Sequence, residues 1–156
     1  MNATELFFDT IRKGFNDRLE AQIAHSPNVV NSKDARGFTP LIFATYFGNE
    51  SAADILLAHG ADVDAKDASG NTALLGVCFK GNAVLANKLI DYKADVNATN
   101  NEGVTPLIYA VMYNHEAVVK LLLKHKADVS IKDNSGKTAK DYASEKGYSA
   151  IAEFLK

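Results

Sequence analysis

The side chains best suited to metal binding or nucleophilic attack are few in this chain, which has four histidines and one cysteine. No two histidines have the i, i+4 spacing that sets paired metal ligands on one helix face; they are His25, His59, His115 and His125. The single cysteine, Cys78, can form neither an internal disulfide nor a cysteine zinc cage. The sequence therefore predicts no metal site and no cofactor, and we expect His59 and His125 to favour the dipole at helix C-termini.

Three further patterns have structural interpretations as well as chemical ones. Cys78 occupies a small, buried position of a predicted helix, where a free cysteine behaves as a small hydrophobe. Asp62, Asp95 and Asp128 recur 33 residues apart, and one carboxylate per interval suits the bracing of a loop better than a shared ligand. The glycines lack the preceding strand that a phosphate-binding loop requires. Since no paired acid and base emerge, we expect no enzyme.

The elements that position these residues come from a 33-residue repeat. Its frame is Asp or Asn, then Gly three places on, then Thr two places further, and it occurs in four copies. The members are Asp34, Asp67, Asn100 and Asp133; Gly37, Gly70, Gly103 and Gly136; and Thr39, Thr72, Thr105 and Thr138. Self-similarity at a fixed period of this size is typical of a stacked array of supersecondary units.

Each copy is predicted to form a turn, two helices and a loop. Asp or Asn with Gly three places on favours the turn. Thr39 suits a helix N-cap, and Pro40 suits the first helical position, where its missing N–H costs nothing. Glycine, or Asn114 in one copy, suits the left-handed residue that ends this first helix. The second helix has apolar residues at helical spacing, and neighbouring copies must stack to bury them.

Two segments, "GFTPLIFA" (Gly37 to Ala44) and "GVTPLIYA" (Gly103 to Ala110), together with the tail "GADVDAK", resemble the ankyrin repeat, whose hallmark is T-P-L-H-x-A in a 33-residue unit. The resemblance covers almost the whole chain and implies an all-α ankyrin-repeat solenoid of helix–turn–helix units with finger loops. It implies one domain over 1–156, with an N-terminal capping repeat at 1–33, full repeats at 34–66, 67–99 and 100–132, and a C-terminal capping repeat at 133–156. Lys93 and Lys126 replace the glycine represented by Gly60, so lysine-to-glycine changes there are predicted to stabilise the fold.

The overall composition is that of a soluble globular protein. The 156 residues carry a formal net charge of −2, which gives no global reason to expect nucleic acid or an anionic membrane as partner. Charged residues interrupt the apolar runs near the N-terminus, unlike those of a secretory signal. No window approaches the length of a membrane-spanning helix. We therefore expect a cytoplasmic protein.

The positions that vary between copies predict a binding surface. In the family that this chain resembles, the turn tips and the ends of the first helices line a concave groove that grips a partner. The resemblance implies these partner-binding residues: Arg12, Lys13, Arg36, Phe38, Tyr46, Phe47, Asn71, Phe79, Lys80, Glu102, Val104, Met112 and Tyr113. Phe38 is expected to be the best exposed anchor, whereas Phe47 has the alternative of packing inside the stack. Aromatic and Met side chains are favoured at interface hot spots.

The function expected from these features is non-catalytic protein–protein interaction, as an adaptor or as an inhibitor of a partner protein. The alternative is a homo-oligomerising scaffold in which the aromatic groove makes a two-fold dimer, although we expect a monomer. Nucleic-acid and small-molecule ligands are not expected, because the charge is near neutral and a solenoid has no closed pocket.

Overall fold

A computed structural model describes all 156 residues as helices joined by turns, without a β-strand. The α-helices are α1 (Ala3–Lys13), α2 (Leu19–His25), α3 (Pro40–Tyr46), α4 (Glu50–Ala58), α5 (Ala73–Lys80), α6 (Ala83–Asp91), α7 (Pro106–Met112), α8 (Glu116–Lys124), α9 (Ala139–Lys146) and α10 (Ser149–Phe154). Two short 3-10 segments, Asn16–Arg18 and Pro27–Asn31, flank α2. The predicted all-α class is confirmed. None of these helices combines the length and the apolar character needed to cross a membrane.

The first helix of a repeat begins at its threonine, as predicted. The Thr39 side chain accepts a hydrogen bond from the Ile42 amide at 3.1 Å, and Pro40 takes the first helical position. Thr105 caps α7 in the same way, with Ile108 as the donor at 3.1 Å. Each cap satisfies one of the backbone amides that a helix N-terminus leaves without an internal partner.

Left-handed residues end the helices. Gly48 and Gly81 have φ of +70° and +79°, and Asn114 takes the equivalent place with φ of +59°, which confirms its predicted role. After the second helices, Gly60 has φ of +85°, and at the same register Lys93 and Lys126 have φ of +71° and +65°. The two lysines therefore hold a backbone conformation that L-residues with a Cβ adopt only at a cost.

The chain forms two compact units, the first of which spans Met1–Ala73. Within it, α1 packs on α3 and α2 packs on α4, so first helices contact first helices and second helices contact second helices. Phe7, Leu41 and Leu56 are fully buried there, and full burial of such a side chain contributes about 1.5–3 kcal/mol. The loops are joined by Asn31 Oδ1, which accepts from the Asp62 amide at 2.8 Å.

The second unit spans Leu74–Lys156 and follows the same plan. Helix α7 packs on α9, α6 packs on α8, and α8 packs on α10. Leu85, Leu107 and Leu122 are buried in this unit. The counterpart of the loop contact is also present, because Asn97 Oδ1 accepts from the Asp128 amide at 2.8 Å.

Candidate functional site

A first aromatic cluster, formed by Phe8, Phe43, Tyr46 and Phe47, lies in the first unit. Phe43 and Phe8 are buried and meet edge to face at 5.4 Å between ring centroids. Phe47 is 62% exposed and Tyr46 is 47% exposed, and the Phe47 ring lies 4.9 Å from Phe43 and 5.3 Å from Tyr46. Helix α3 ends at Tyr46, so the chain turns away just where these two side chains emerge. The alternative in which Phe47 packs inside the stack is wrong.

A second aromatic cluster, formed by Phe79, Tyr109, Tyr113 and His115, lies in the second unit. The Phe79 ring meets Tyr113 at 4.7 Å and Tyr109 at 5.6 Å, both edge to face. Phe79 is 40% exposed and Tyr113 is 46% exposed, while Tyr109 is half-buried. Met112, at the end of α7, is half-buried as well. Such edge-to-face pairs stabilise each other by about 0.5–1.5 kcal/mol beyond their burial, so the rings are held in defined positions.

His115 fixes the geometry of the second cluster. Its Nε2 lies 2.9 Å from the Phe79 carbonyl oxygen, and since a carbonyl only accepts, Nε2 carries the proton and donates. A Cβ added at Gly81 would lie 2.5 Å from His115 Nδ1, so the imidazole fills the space that glycine leaves open. His115 therefore has a structural role in this cluster. His59 and His125 are the C-cap residues of α4 and α8, as predicted.

The finger turns are held by the residue that opens each repeat frame. Asp34 Oδ1 accepts from the amides of Arg36 at 2.9 Å and Phe38 at 3.0 Å. In the other copies, the same two bonds run from Ser69 and Asn71 to Asp67, from Glu102 and Val104 to Asn100, and from Ser135 and Lys137 to Asp133. The turn tips therefore have a fixed backbone, with Glu102 exposed and Asn71 half-buried.

The Asp133 carboxylate accepts hydrogen bonds from the Ser135 amide and hydroxyl, the Lys137 amide and the Tyr142 hydroxyl. Burial opposes its ionisation, but hydrogen bonds from Ser135, Tyr142 and Lys137 outweigh that effect and hold the pKa of Asp133 below its ordinary value. The same bond raises the pKa of the Tyr142 hydroxyl, since losing its proton would place two negative charges together. The ionised carboxylate is therefore the form that stabilises this turn.

Two predicted contact residues on the turns lie differently from expectation. Val104 is only 4% exposed, so the prediction that it faces a partner is wrong. Its amide donates to Asn100 Oδ1 and its carbonyl accepts from the Asn100 amide, which holds it at the base of the turn with its side chain in the core. Phe38 is half-buried beneath the Arg36 guanidinium, 4.7 Å above its ring, and is therefore not the most exposed anchor.

The predicted cationic residues are exposed, and several are ordered by carboxylates. Arg12 and Lys13 both pair with Asp9, with Lys13 Nζ at 2.9 Å from its carboxylate. Hydrogen bonds from Lys13 and then Arg12 hold the pKa of Asp9 below its ordinary value. Arg36 pairs with Asp34 at 3.2 Å, and Lys80 is exposed at the end of α5.

The chemically reactive residues are in structural positions. Cys78 is buried, and burial raises the pKa of its thiol, so it is held as the unreactive thiol. Asp62, Asp95 and Asp128 each accept a hydrogen bond from the backbone amide two residues further on, which confirms their predicted loop-bracing role. No three His, Cys, Asp or Glu side chains are grouped so as to hold a metal ion.

Phe8, Phe43 and Tyr109 belong to the aromatic clusters but were not among the predicted contact residues. Tyr109 lies 66 residues after Phe43 and 33 before Tyr142, so an aromatic residue recurs at this register of the repeat. That recurrence was the available signal. The contact residues were predicted from positions that vary between copies, and this position is aromatic in most copies.

The repeated helix–turn–helix units define an ankyrin repeat protein. A family profile described as "Ankyrin repeats (3 copies)" matches residues 7–100 and 74–156, and the chain belongs to this family. The predicted ankyrin-repeat fold is thereby confirmed, and such repeats generally mediate protein–protein interaction. Among individual proteins, the human protein named DNA-binding protein RFXANK is 44% identical over 50 residues, a match covering 32% of this chain. That match spans only 19% of the human protein's length.

Proposed function

We propose that this chain is a non-catalytic module that binds a partner protein through its two aromatic clusters. The observation that carries the proposal is the exposure of four aromatic side chains at the ends of first helices. They are Phe47 at 62%, Tyr46 at 47%, Tyr113 at 46% and Phe79 at 40%. Exposed apolar patches of this kind mark interaction sites, and aromatic residues dominate interface hot spots. Burying them against a partner gains about 25 cal/mol for each Å² removed from water.

The order already present in both clusters supports this proposal. The Phe47 ring rests on buried Phe43, and the Phe79 ring is held between Tyr109 and Tyr113. Side chains fixed before binding lose little conformational freedom in the complex, which leaves more of the burial energy as affinity. Recognition by a preformed surface is therefore the mechanism that we propose, for an adaptor or an inhibitor alike.

Charged residues around the clusters are proposed to orient the partner. Arg12, Lys13, Arg36, Lys80 and Glu102 are all exposed. Exposed charges of this kind set association rates and register more than affinity. Asn71 and the half-buried Phe38 and Met112 are secondary contacts in this proposal.

A protein partner is favoured over DNA, although the human relative is named a DNA-binding protein. The net charge of −2 lacks the basic excess by which proteins neutralise phosphates. The match to that relative is also confined to 50 residues, which is 32% of this chain. We therefore do not propose binding of DNA.

The test is a pull-down from a lysate of the source organism with three forms of the full chain as bait. The first is the native protein, and the second carries Tyr46→Ala, Phe47→Ala, Phe79→Ala and Tyr113→Ala. The third is a matched control that removes exposed apolar side chains elsewhere, through Val84→Ala, Tyr92→Ala and Val129→Ala. Circular dichroism and thermal melts verify that every bait is folded.

We expect a protein that the native and control baits retain and the aromatic variant loses. Equal retention by all three baits would show that the partner uses another surface and would contradict the proposal. The homo-oligomer alternative is tested by light scattering on the eluted native protein. If the native and control proteins are dimers and the aromatic variant is a monomer, the scaffold function is favoured over binding of a separate partner.

A further inference from the structure

A pocket lies between α1 and α2 in the first unit, and no residue of the two aromatic clusters lines it. Its volume is about 250 Å³. The apolar part of its wall is formed by Ala3 and Leu6 of α1, Ala21 of α2 and Val29 of the following 3-10 segment. Val29 is buried, whereas the other three residues are exposed. The pocket is therefore accessible to a group that enters from outside.

Gln22, which also lines this pocket, has a side-chain amide of fixed orientation. Its Nε2 donates to Thr10 Oγ1 at 3.0 Å, and the Thr10 hydroxyl donates in turn to the Leu6 carbonyl at 2.8 Å. Because the hydroxyl proton is used in that second bond, Thr10 can only accept from Gln22, so Nε2 is the atom that faces α1. Gln22 Oε1 is then a buried acceptor without a hydrogen-bond partner.

This unpartnered oxygen is unfavourable in the free chain. A buried acceptor that lacks a donor costs about 1–3 kcal/mol, and such atoms are uncommon in folded proteins. A water molecule in the pocket would need about three polar partners. The wall is almost entirely apolar, although His25 and Ser26 also belong to it. An apolar group that carries one hydrogen-bond donor therefore suits the pocket better than water does.

The size of the pocket and its single free acceptor together favour an indole ring. A cavity of about 150 Å³ holds benzene, so about 250 Å³ suits the larger bicyclic ring. The indole N–H only donates, whereas a phenol hydroxyl would also bring an acceptor into an apolar pocket. Tryptophan is also enriched at interface hot spots, and its N–H usually finds a partner when the ring is buried.

We propose that the pocket between α1 and α2 docks a tryptophan side chain of a partner protein, whose indole N–H donates to Gln22 Oε1. This docking site goes beyond the proposed function, because the aromatic clusters take no part in it. A second copy of the chain cannot supply the ring, since the chain has no tryptophan. Oε1 is covered while the pocket is empty, and Leu6, which is 48% exposed, moves aside as the ring enters. The backbone of the partner then covers the open side, which a free indole compound would leave in water.

The experiment follows the fluorescence of short neutral peptides with one tryptophan, because the chain itself contributes no indole emission. A matched peptide has tryptophan methylated on the indole nitrogen, which keeps the ring and removes the donor. N-acetyltryptophanamide is the small-molecule probe. The native full chain is compared with Ala21→Phe, which fills the pocket, and with Ala24→Phe, which places the same ring at an exposed position of α2 outside it. A further variant, Gln22→Met, removes the acceptor, and circular dichroism verifies that every variant is folded.

We expect the emission of the tryptophan peptide to shift to shorter wavelength on binding, and its affinity to be about tenfold higher than that of the methylated peptide. Ala21→Phe should abolish binding and Ala24→Phe should keep it, whereas Gln22→Met should bind both peptides equally.

Several results would overturn the proposal. These are no binding at about 1 mM peptide, equal binding of the two peptides to the native chain, equal behaviour of Ala21→Phe and Ala24→Phe, and equal affinity for N-acetyltryptophanamide and the peptide. A preference that persists in Gln22→Met would mean that the methyl group acts through its size, which also contradicts the proposed hydrogen bond.

The variant without the four exposed aromatic side chains separates this proposal from the proposed function. It should bind the tryptophan peptide as the native chain does. Loss of peptide binding in that variant would place the peptide on the aromatic clusters and overturn the docking site. Failure of the proposed function has a different appearance, since the lysate partner would then be retained equally by the aromatic variant.

Discussion

Lys93→Gly and Lys126→Gly should make the protein more stable, although each removes most of a side chain. Both residues follow a second helix with left-handed φ, +71° and +65°, and both are exposed. At the same register Gly60 has φ of +85°. The chain therefore contains its own reference for the residue that suits this backbone.

The magnitude follows from three effects. The left-handed conformation costs an L-residue about 1–2 kcal/mol, which glycine does not incur. Glycine also lowers the stability by about 0.4–1 kcal/mol, because the unfolded chain then has more conformational freedom to lose on folding. Losing a cation near a helix C-terminus costs roughly 0.3 kcal/mol at an exposed site. The net gain is about 0.5 kcal/mol per site, and the double variant should gain about 1 kcal/mol, which raises Tm by about 2–4 °C.

The assay is urea and thermal unfolding followed by circular dichroism. Lys93→Ala is the essential control, since alanine removes the charge but keeps the left-handed strain. Gly60→Ala is the reverse change, and because a Cβ there would meet nothing within 4 Å, its loss of stability reports the backbone alone. The reasoning is refuted if Lys93→Gly is no more stable than Lys93→Ala.

Two other changes test contacts that the structure defines. Gly81→Ala should lower the free energy of unfolding by about 2–4 kcal/mol, because the new Cβ would lie 2.5 Å from His115 Nδ1 as well as being strained, whereas Gly48→Ala, with open space, should lose only about 1 kcal/mol. Equal losses in urea unfolding, or no rescue of Gly81→Ala by His115→Ala, would contradict this contact. Asp133→Asn should lose about 1 kcal/mol at pH 7, since bonds to the carboxylate become bonds to a neutral amide. The lowered folded pKa of Asp133 gives stability that is complete above its unfolded pKa of about 3.9 and lost as the pH falls through the folded value. The native and variant unfolding energies should therefore converge below about pH 3, and a gap that persists there would show that ionisation is not the cause.

Local chemistry explains why so much of the fold was readable from the sequence. The caps at Thr39 and Thr105 and the left-handed Asn114 each depend on the backbone within a few residues. The all-α class follows from the repeat, since the residues that favour a turn and two helices recur in each copy. Proline at the first helical position and Asp or Asn at the turn favour the local backbone conformation without contacts from elsewhere in the chain.

The candidate site was only partly predictable, because comparison of the copies identifies variable positions without giving their exposure. Phe79, Tyr113 and Tyr46 are exposed as that comparison implies. Val104 varies too but is buried, since the turn that Asn100 holds directs it into the core. A variable position can differ because it contacts a partner or because its neighbours in the core differ.

The sequence by itself determined the repeat, the helices, their caps and the left-handed lysines, because these are properties of short segments. Only the tertiary structure decided that Phe47 is exposed, that Arg36 covers Phe38, and that His115 donates to Phe79. The His115–Phe79 contact joins residues 36 positions apart, and such contacts form only when separate helices pack together. Exposure and long-range hydrogen bonds depend on what a neighbouring element covers, which no local pattern specifies.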